Sequence, residues 1–571
     1  MFGWVRSQHV PPPEGCPMSQ PPASRIRYGG ESRGRSGGRS CGRLGSAAVL
    51  MATALLLSGC SDDDSSEPGT DPSAKGTHAG ADASPLEPLP AKIPDELRPY
   101  YEQKLSWHDC GPAQFECATL RVPLDYDKPG DDPADDAATA GLAVTRTKQQ
   151  RGKKPPEGGS LQVNPGGPGG SAIEYVQQSV ALAYPQQVRE HYTLVGMDPR
   201  GVGRSEPVEC LGDKQMDAYT RVDQTPDDAS ETDALTAAYE KFAKGCEKRT
   251  GKLLGHVSTV EAARDMDVLR GVLGDRKLNY VGASYGTYLG ATYAGLFPER
   301  SGRLVLDGAM DPSLSARRIN REQTAGFDTA FKAFARDCVK MSDCPLGTDG
   351  VQQAGEKLSA LFARVDREPL KTDDPARTLT ESLATTGVIR AMYDEGSWPV
   401  LREALTAAGK GDGAPLLALS DDYFERGPDG EYSNIMYANP AVNCLDLPPA
   451  FSDAAAARKA LPSFEKASPV FGRGFAWAAL NCAEWPVEPT GAPHRIAAKG
   501  ADPIVVVGTT RDPATPYRWA QGLAGQLSSA RLLTYKGDGH TAYLRGSDCV
   551  DKAVDAYLLQ GKPPEDGTTC G

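Results

Sequence analysis

Residues 279–300 read NYVGASYGTYLGATYAGLFPER, and Gly282-Ala283-Ser284-Tyr285-Gly286 at their centre is a G-x-S-x-G between two segments of different character. LNYVG is a short β-prone run. TYLGATYAGLFPER has helix-compatible spacing and stops near Pro298. A serine at such a junction stands on a sharp strand-to-helix turn, with its hydroxyl exposed above a sheet. The letters alone are weak, because the chain has 62 Gly. The same pattern recurs at Gly34-Arg35-Ser36-Gly37-Gly38 and at Gly38-Arg39-Ser40-Cys41-Gly42, in an Arg/Gly/Ser tract with no apolar run before it. Only Ser284 has the strand–turn–helix context of a nucleophile. A plain turn serine is the competing reading, and the rest of the chain has to decide.

From about residue 96 the chain alternates strand-like and helix-like segments. ATLRVPLDY and GLAVTRTK read as an opening pair of strands, and GSLQVNPGGPGGS and YTLVGMDPRGVGRS as strands running into tight loops. KLNYVGASYG and GRLVLDGAMDP follow in the same style. Such alternation predicts an α/β fold with a mostly parallel sheet flanked by helices. After Asp311 the pattern turns helical, as in TAGFDTAFKAFARDC and EKLSALFARVD, until strand–helix alternation resumes with DPIVVVGTTRDPATP and ARLLTYKGDGHTAY. The expected organisation is a core in two parts, 96–311 and 491–571, with a mainly helical cap, 312–490, inserted before the last two strands. A cap there would sit over the strand ends, where open α/β sheets bind ligands.

The first 95 residues differ from the rest. LGSAAVLMATALLLSGC, behind Arg39 and Arg43, has the length of a signal-peptide core and is short for a membrane span. Its end, Leu57-Ser58-Gly59-Cys60, resembles the bacterial lipobox, which makes Cys60 the expected lipidation site and residues 1–59 a leader. Residues 60–95 read as a disordered tether. Residues 1–59 hold seven Arg and two acids, so of a net charge of −13 the remainder carries −18. An acidic body argues against nucleic acid and suits a cationic partner such as a peptide N-terminus. Beyond Cys16, Cys41 and Cys60, ten Cys remain, an even number that suits disulfides outside the cytosol. Pairing in sequence order (110–117, 210–246, 338–344, 444–482, 549–570) is the simplest of many connectivities. No Cys/His spacing suggests a metal, and no cofactor is expected. The expected protein is extracytoplasmic, touches the membrane only through a lipid anchor, and is a monomer.

A serine nucleophile needs a base and a group to orient it. Asp512 follows the strand in IVVVGTTRDPATP, and His540 lies in the loop after the last expected strand, in LLTYKGDGHTAY. The order Ser, Asp, His is that of one known arrangement of the triad. Asp502 and Asp538 compete locally with Asp512. Gly167, in the loop Asn164-Pro165-Gly166-Gly167-Pro168-Gly169-Gly170, and Tyr285 are the candidate backbone donors to an oxyanion. The same loop read as a phosphate cradle lacks the Lys-Ser/Thr ending that chemistry requires.

Together these pieces resemble the secreted tripeptidyl aminopeptidases of actinomycetes, in the prolyl-aminopeptidase-like branch of the α/β-hydrolases with a TAP-like C-terminal region. The resemblance rests on VPLDYDKP (122–129), NPGGPGGS, GMDPRGVGRS (196–205), GASYGTYLG, VNCLD (442–446), TTRDPATP and GDGHTAY, and spans about residues 96–571. It implies an α/β-hydrolase fold, with Ser284 as nucleophile, Asp512 as acid and His540 as base. Pro165 stands where the wider branch often has His. The implied activity is release of short peptides from free N-termini through an acyl-enzyme. Reading a terminal ammonium needs a carboxylate, and Glu174, Asp446 and Glu484 are the candidates. A carboxylesterase or lipase with the same triad is the first alternative. A catalytically silent lipoprotein is the second, disfavoured by the complete Ser/Asp/His set. A dehalogenase-like hydrolase would want Asp where Ser284 stands.

Overall fold

Val- and Leu-rich runs bounded by glycine and proline supply the centre of the molecule. Ile504–Arg511 (IVVVGTTR) is buried over its first six residues, the mark of a parallel strand covered on both faces. Phe115–Pro123 alternates buried and open positions instead, as an outer antiparallel strand does. The computed structural model describes residues 83–130, 132–148 and 156–571. The leader, Cys60 and the tether up to residue 82 lie outside the described residues.

Among the described residues ten strands form one sheet: β1 (His108–Asp109), β2 (Phe115–Pro123), β3 (Thr139–Thr147), β4 (Ser160–Asn164), β5 (Thr193–Met197), β6 (Leu278–Ala283), β7 (Ser301–Asp307), β8 (Ile504–Arg511), β9 (Ala530–Asp538) and β10 (Thr568–Cys570). Their order is β10-β9-β8-β7-β6-β4-β5-β3-β2-β1. The seven from β10 to β5 are parallel, and β3, β2 and β1 continue the sheet antiparallel. Alternate side chains feed the two faces. Leu304, Leu306, Ile504 and Val506 join one buried cluster, and Val305, Val505, Val507 and Val281 the other. The third late strand, β10, was not expected. It is three residues long, too short for a periodic signal, and is tied back by Cys549–Cys570.

Between the neighbouring strands β7 and β8 the chain makes its helical excursion. It includes α1 (Ala316–Cys338), α2 (Val351–Arg367), α3 (Glu381–Met392), α4 (Ile435–Asp446) and α5 (Gly472–Ala478). Phe327, Phe331, Phe334, Leu358, Leu383 and Leu401 give it a core of its own. The described residues nevertheless make one compact unit. The excursion leaves from the carboxyl ends of the parallel strands, and so do the loops after β4, β6, β7, β8 and β9.

Residues 83–95, expected in the tether, are held against the fold. Ser84–Pro85 pairs with His494–Arg495, and Leu89 N–H donates to the Leu296 carbonyl at 2.9 Å. Leu86, Leu89 and Ile93 pack on the core, which outweighs the Pro- and Ser-rich composition that reads as unstructured. The cysteines pair in sequence order, 110–117, 210–246, 338–344, 444–482 and 549–570. Among the described residues no helix is long and apolar enough to cross a membrane.

Candidate active site

Strand β6 ends at Ala283, and the helix Tyr285–Leu296 begins one residue later. Ser284 between them has φ 56° and ψ −125°, a strained backbone for a side-chain-bearing residue. The flanking glycines are required by contact. A Cβ on Gly282 would lie 2.3 Å from the Gly286 carbonyl oxygen, and one on Gly286 would lie 2.8 Å from the Asn164 carbonyl oxygen. Ser284 N–H donates to the Asp307 carbonyl at 2.8 Å, tying the turn to the end of β7.

Asp512 and His540 meet in the loops after β8 and β9. His540 Nδ1 lies 2.9 Å from both Asp512 oxygens. Ala514 N–H, Thr515 N–H and Thr541 N–H also donate to that carboxylate, at 2.9, 2.8 and 3.2 Å. The competing acids are engaged elsewhere: Asp538 takes both arms of Arg511, and Asp502 pairs with Lys277 at 2.8 Å. Three partners of this pair were not foreseen. Thr515 donates its hydroxyl to Asp512 Oδ2 at 3.0 Å. Its signal was present in D-P-A-T, a turn in which Asp accepts from residues two and three ahead. Tyr393, just past α3, accepts from His540 N–H at 3.0 Å and sets its ring edge-on to the imidazole. Asp307 holds Ala542 N–H and Tyr543 N–H at 3.0 and 2.9 Å. It links the elbow, through its carbonyl, to the His540 loop, through its carboxylate. Burial raises that carboxyl to about 6.

The loop after β4 folds back beside the elbow. Gly167 has φ 119°, and a Cβ there would meet Gly169 N at 2.7 Å, so only glycine fits. Tyr285 is the first residue of its helix, so its N–H has no partner within that helix. The buried Asp198 binds this loop to the next one, accepting from Ser171 Oγ, Ile173 N–H and Arg204 N–H at 2.8, 3.0 and 2.9 Å. Arg200 lies fully buried against Asp265, with the Pro123 and Leu124 carbonyls as further acceptors.

Ser284, Gly167 and Tyr285 line a cavity of about 410 Å³, and the helical excursion supplies much of the remaining wall. The three carboxylates proposed to read an ammonium are placed differently. Glu174 and Glu484 are exposed and do not line this cavity. Asp446 does line it, but Thr259 N–H and Thr259 Oγ1 occupy its two oxygens at 2.7 and 2.5 Å, and Thr259 Oγ1 also meets the Tyr285 hydroxyl. Asp446 thus braces the residue that follows the elbow serine. A second acid in the wall, Glu381, gives no signal in sequence, standing in an ordinary helix start behind Thr380.

Desolvation raises the Asp446 carboxyl from 3.8 to about 7, against the Thr259 hydrogen bonds that lower it. The folded protein therefore keeps a proton there that the unfolded chain loses near pH 4. Stability from this group is full below that pH and falls as pH rises toward about 7. Asp446→Asn is expected to remove that decline. It should leave the melting point unchanged at pH 4 and stabilise the fold by on the order of 1–3 kcal/mol at pH 8. Melting curves at the two pH values test this, and equal shifts at both would refute it.

A sheet of this order, a strained serine turn after its central strand, and an Asp and His on the loops of two later strands define the α/β-hydrolase class. Residues 161–394 match the family model described as alpha/beta hydrolase fold, and residues 468–570 match the one described as TAP-like protein. The chain is 38% identical to the serine protease Hip1 of Mycobacterium tuberculosis, over 83% of its own length and 92% of the relative's. It is 38% identical to carboxylesterase B of the same species, over 80% and 86%. It is 31% identical to the tripeptidyl aminopeptidase of Streptomyces lividans, over 82% and 86%. The chain belongs to the α/β-hydrolase family, in the group that carries a TAP-like C-terminal region. It is a serine hydrolase.

Proposed function

We propose that this protein is an exported serine peptidase that releases short peptides, tripeptides among them, from free N-termini. The observation that carries the reading is the shared cavity: Ser284 and the oxyanion-loop glycine line the same space as the buried acids Asp446 and Glu381. A cavity beside the nucleophile with acid in its wall suits a substrate that brings a cationic group, such as a terminal ammonium. The relatives named serine protease and tripeptidyl aminopeptidase support it. Export is supported by the apolar leader segment and its lipobox-like end, and by the five disulfides.

In this reading Ser284 Oγ attacks the scissile carbonyl while His540 Nε2 takes its proton. Asp512, already within 2.9 Å of Nδ1, fixes the tautomer that leaves Nε2 free to accept and stabilises the imidazolium. The N–H groups of Gly167 and Tyr285 hold the developing oxyanion. His540 returns the proton to the leaving amine. Water, deprotonated by the same imidazole, then splits the acyl-enzyme.

The test is a matched set of anilides: free tripeptide, dipeptide and single residue, each with an N-acetylated counterpart, beside a short-chain ester. The expected result is a kcat/KM for the free tripeptide about 30- to 100-fold above its acetylated form, the worth of one charge-assisted contact in a dry site. Ester turnover without anilide turnover would favour the carboxylesterase reading, for which a named relative is the specific support.

A further inference from the structure

His540 sits in a loop that its own backbone does not favour. Thr541 and Leu544 have φ 69° and 64°, a left-handed region costly for any side chain and most of all for the branched one of Thr541. Such a loop keeps its shape only where its surroundings fix it. Five consecutive N–H groups are fixed. Thr541 donates to Asp512 at 3.2 Å, Ala542 and Tyr543 to Asp307 at 3.0 and 2.9 Å, and Leu544 to Asp551 at 2.7 Å. Those acceptors are carboxylates of the core. His540 N–H alone of the five donates to the cap, at the Tyr393 carbonyl.

A single carbonyl is a weak tie, worth about tenfold in an equilibrium at most. Arg545 adds a second. Its Nη2 lies 3.0 Å from the Asp394 carboxylate, and its Nη1 donates to the His540 carbonyl at 3.2 Å. Tyr393 and Asp394 are adjacent, just past the end of α3, so the N–H and the C=O of His540 are both fastened to one corner of the cap. The planar fork of an arginine serves two such acceptors at once, a span that the point charge of a lysine does not match. The Arg545 side chain is 11% exposed, so the pair escapes most of the screening of a surface contact. Gly539 lets the corner come close. It has φ 96°, and a Cβ there would lie 3.1 Å from the Tyr393 carbonyl oxygen and 3.4 Å from Arg545 Nη2. Earlier in α3, Thr385, Thr386 and Ile389 line the cavity that holds Ser284. The helix that shapes the substrate space thus also ends on the imidazole loop.

We infer that Arg545 is a positioning residue for His540: with Asp394 it clamps the His540 backbone to the end of α3, and the cap thereby holds the imidazole in line with Ser284 and Asp512. Arg545 does not line the cavity, so it acts through His540 and not on the substrate. Its effect falls on the chemical step and extends to any acyl substrate. The inference rests on the triad of the mechanism proposed above, and not on whether the substrate is a peptide or an ester.

The experiment compares wild type, Arg545→Met, Arg545→Lys, Asp394→Asn and the double variant Asp394→Asn/Arg545→Met. Each is assayed on Ala-Ala-Ala anilide and on a short-chain ester, and for its rate of inactivation by a fluorophosphonate, which needs the same base. Arg545→Met is expected to lower kcat about 20-fold on whichever substrate wild type turns over, with KM within about twofold and inactivation slowed by the same factor. Arg545→Lys keeps a charge beside Asp394 and should recover to within about fivefold of wild type. Asp394→Asn should lose about fivefold, and the double variant should be no slower than Arg545→Met, because the two residues act as one unit. A role in stability alone would lower the melting point and leave kcat and inactivation at wild-type values in the folded protein. That result would overturn the inference, as would losses that multiply in the double variant or that appear only in KM. Asp394 is 43% exposed, so Asp394→Asn is expected to fold even if Arg545→Met does not, and a wild-type kcat in it would then decide against the clamp. His540→Gln, measured beside them, keeps the two readings apart. If it stays active, the proposed mechanism itself fails; if it is inactive while Arg545→Met is normal, only the clamp fails.

Discussion

Exchanging Ser284 for alanine is expected to lower kcat by roughly 10⁵- to 10⁶-fold while leaving the fold intact. The size follows from the absence of a substitute. The turn that presents the hydroxyl is built from two glycines whose neighbours lie within 2.8 Å of where a Cβ would stand, so no other side chain can swing into its place. Residual turnover, about 10³-fold over water, would come from the oxyanion donors and from binding. Alanine has the same backbone preferences as serine at φ 56°, so the strain of the turn is unchanged and the melting point should move little. Glycine there should relieve that strain, and Ser284→Gly is expected to be as inactive and about 1 kcal/mol more stable. Steady-state anilide and ester rates with paired melting curves decide the matter. Turnover within a hundredfold of wild type in the alanine variant would remove Ser284 as nucleophile. So would failure of a burst of product in wild type to disappear in the variant.

The elbow was legible because each of its letters is forced by geometry. Gly282 and Gly286 are contact requirements, and the strand before them reads as β for the same reason that it is buried. The long central strands were legible as runs of Val and Leu. Their continuous burial comes from helices on both faces, which strand–helix alternation already implies. Chain order, with a place just past a strand for Asp512 and in the loop after the last expected strand for His540, singles out the two, and the structure brings them together because β8 and β9 are neighbours.

What stayed hidden depends on contacts far apart in sequence. Nothing around Tyr393 says that its carbonyl will meet His540, 147 positions on, because any residue has a carbonyl to offer. Glu381 reads as a routine acid in a first helical turn until the cavity beside it is known. Glu174 lies close in sequence to the oxyanion loop and Glu484 to Cys482, but nearness along the chain says nothing about facing inward. The tether boundary failed in the opposite way. Composition favoured disorder, but Leu86, Leu89 and Ile93 found apolar partners that composition cannot see.

The second large effect belongs to Asp512. Its carboxylate is an acceptor for His540 Nδ1–H, for three backbone N–H groups and for the Thr515 hydroxyl, all at 3.2 Å or less. Asparagine keeps the shape but replaces one acceptor oxygen with a donor. If the amide nitrogen faces the imidazole, Nδ1 must give up its hydrogen and accept, and the proton moves to Nε2. A protonated Nε2 cannot take the proton of Ser284. His540 Nδ1 is 2.9 Å from both oxygens, so the nitrogen meets the imidazole at either position. At Oδ1 it would also face the Ala514 and Thr515 N–H groups, at Oδ2 only Thr541 N–H, and each buried clash of donors costs about 1–3 kcal/mol, so Oδ2 is the favoured place. Asp512→Asn is therefore expected to lower kcat about 10⁴-fold with KM little changed, short of the loss at Ser284 because the nucleophile and oxyanion donors remain. Asp307 is the internal control. Its carboxylate reaches only the backbone of the His540 loop, at Ala542 and Tyr543, so Asp307→Asn should cost far less, about tenfold, by loosening that loop. The two variants, with Asp538→Asn beside them, separate the possible acids in one set of rates. A near-normal Asp512→Asn, or a loss at Asp307 or Asp538 larger than the loss at Asp512, would show that the imidazole is oriented by another carboxylate.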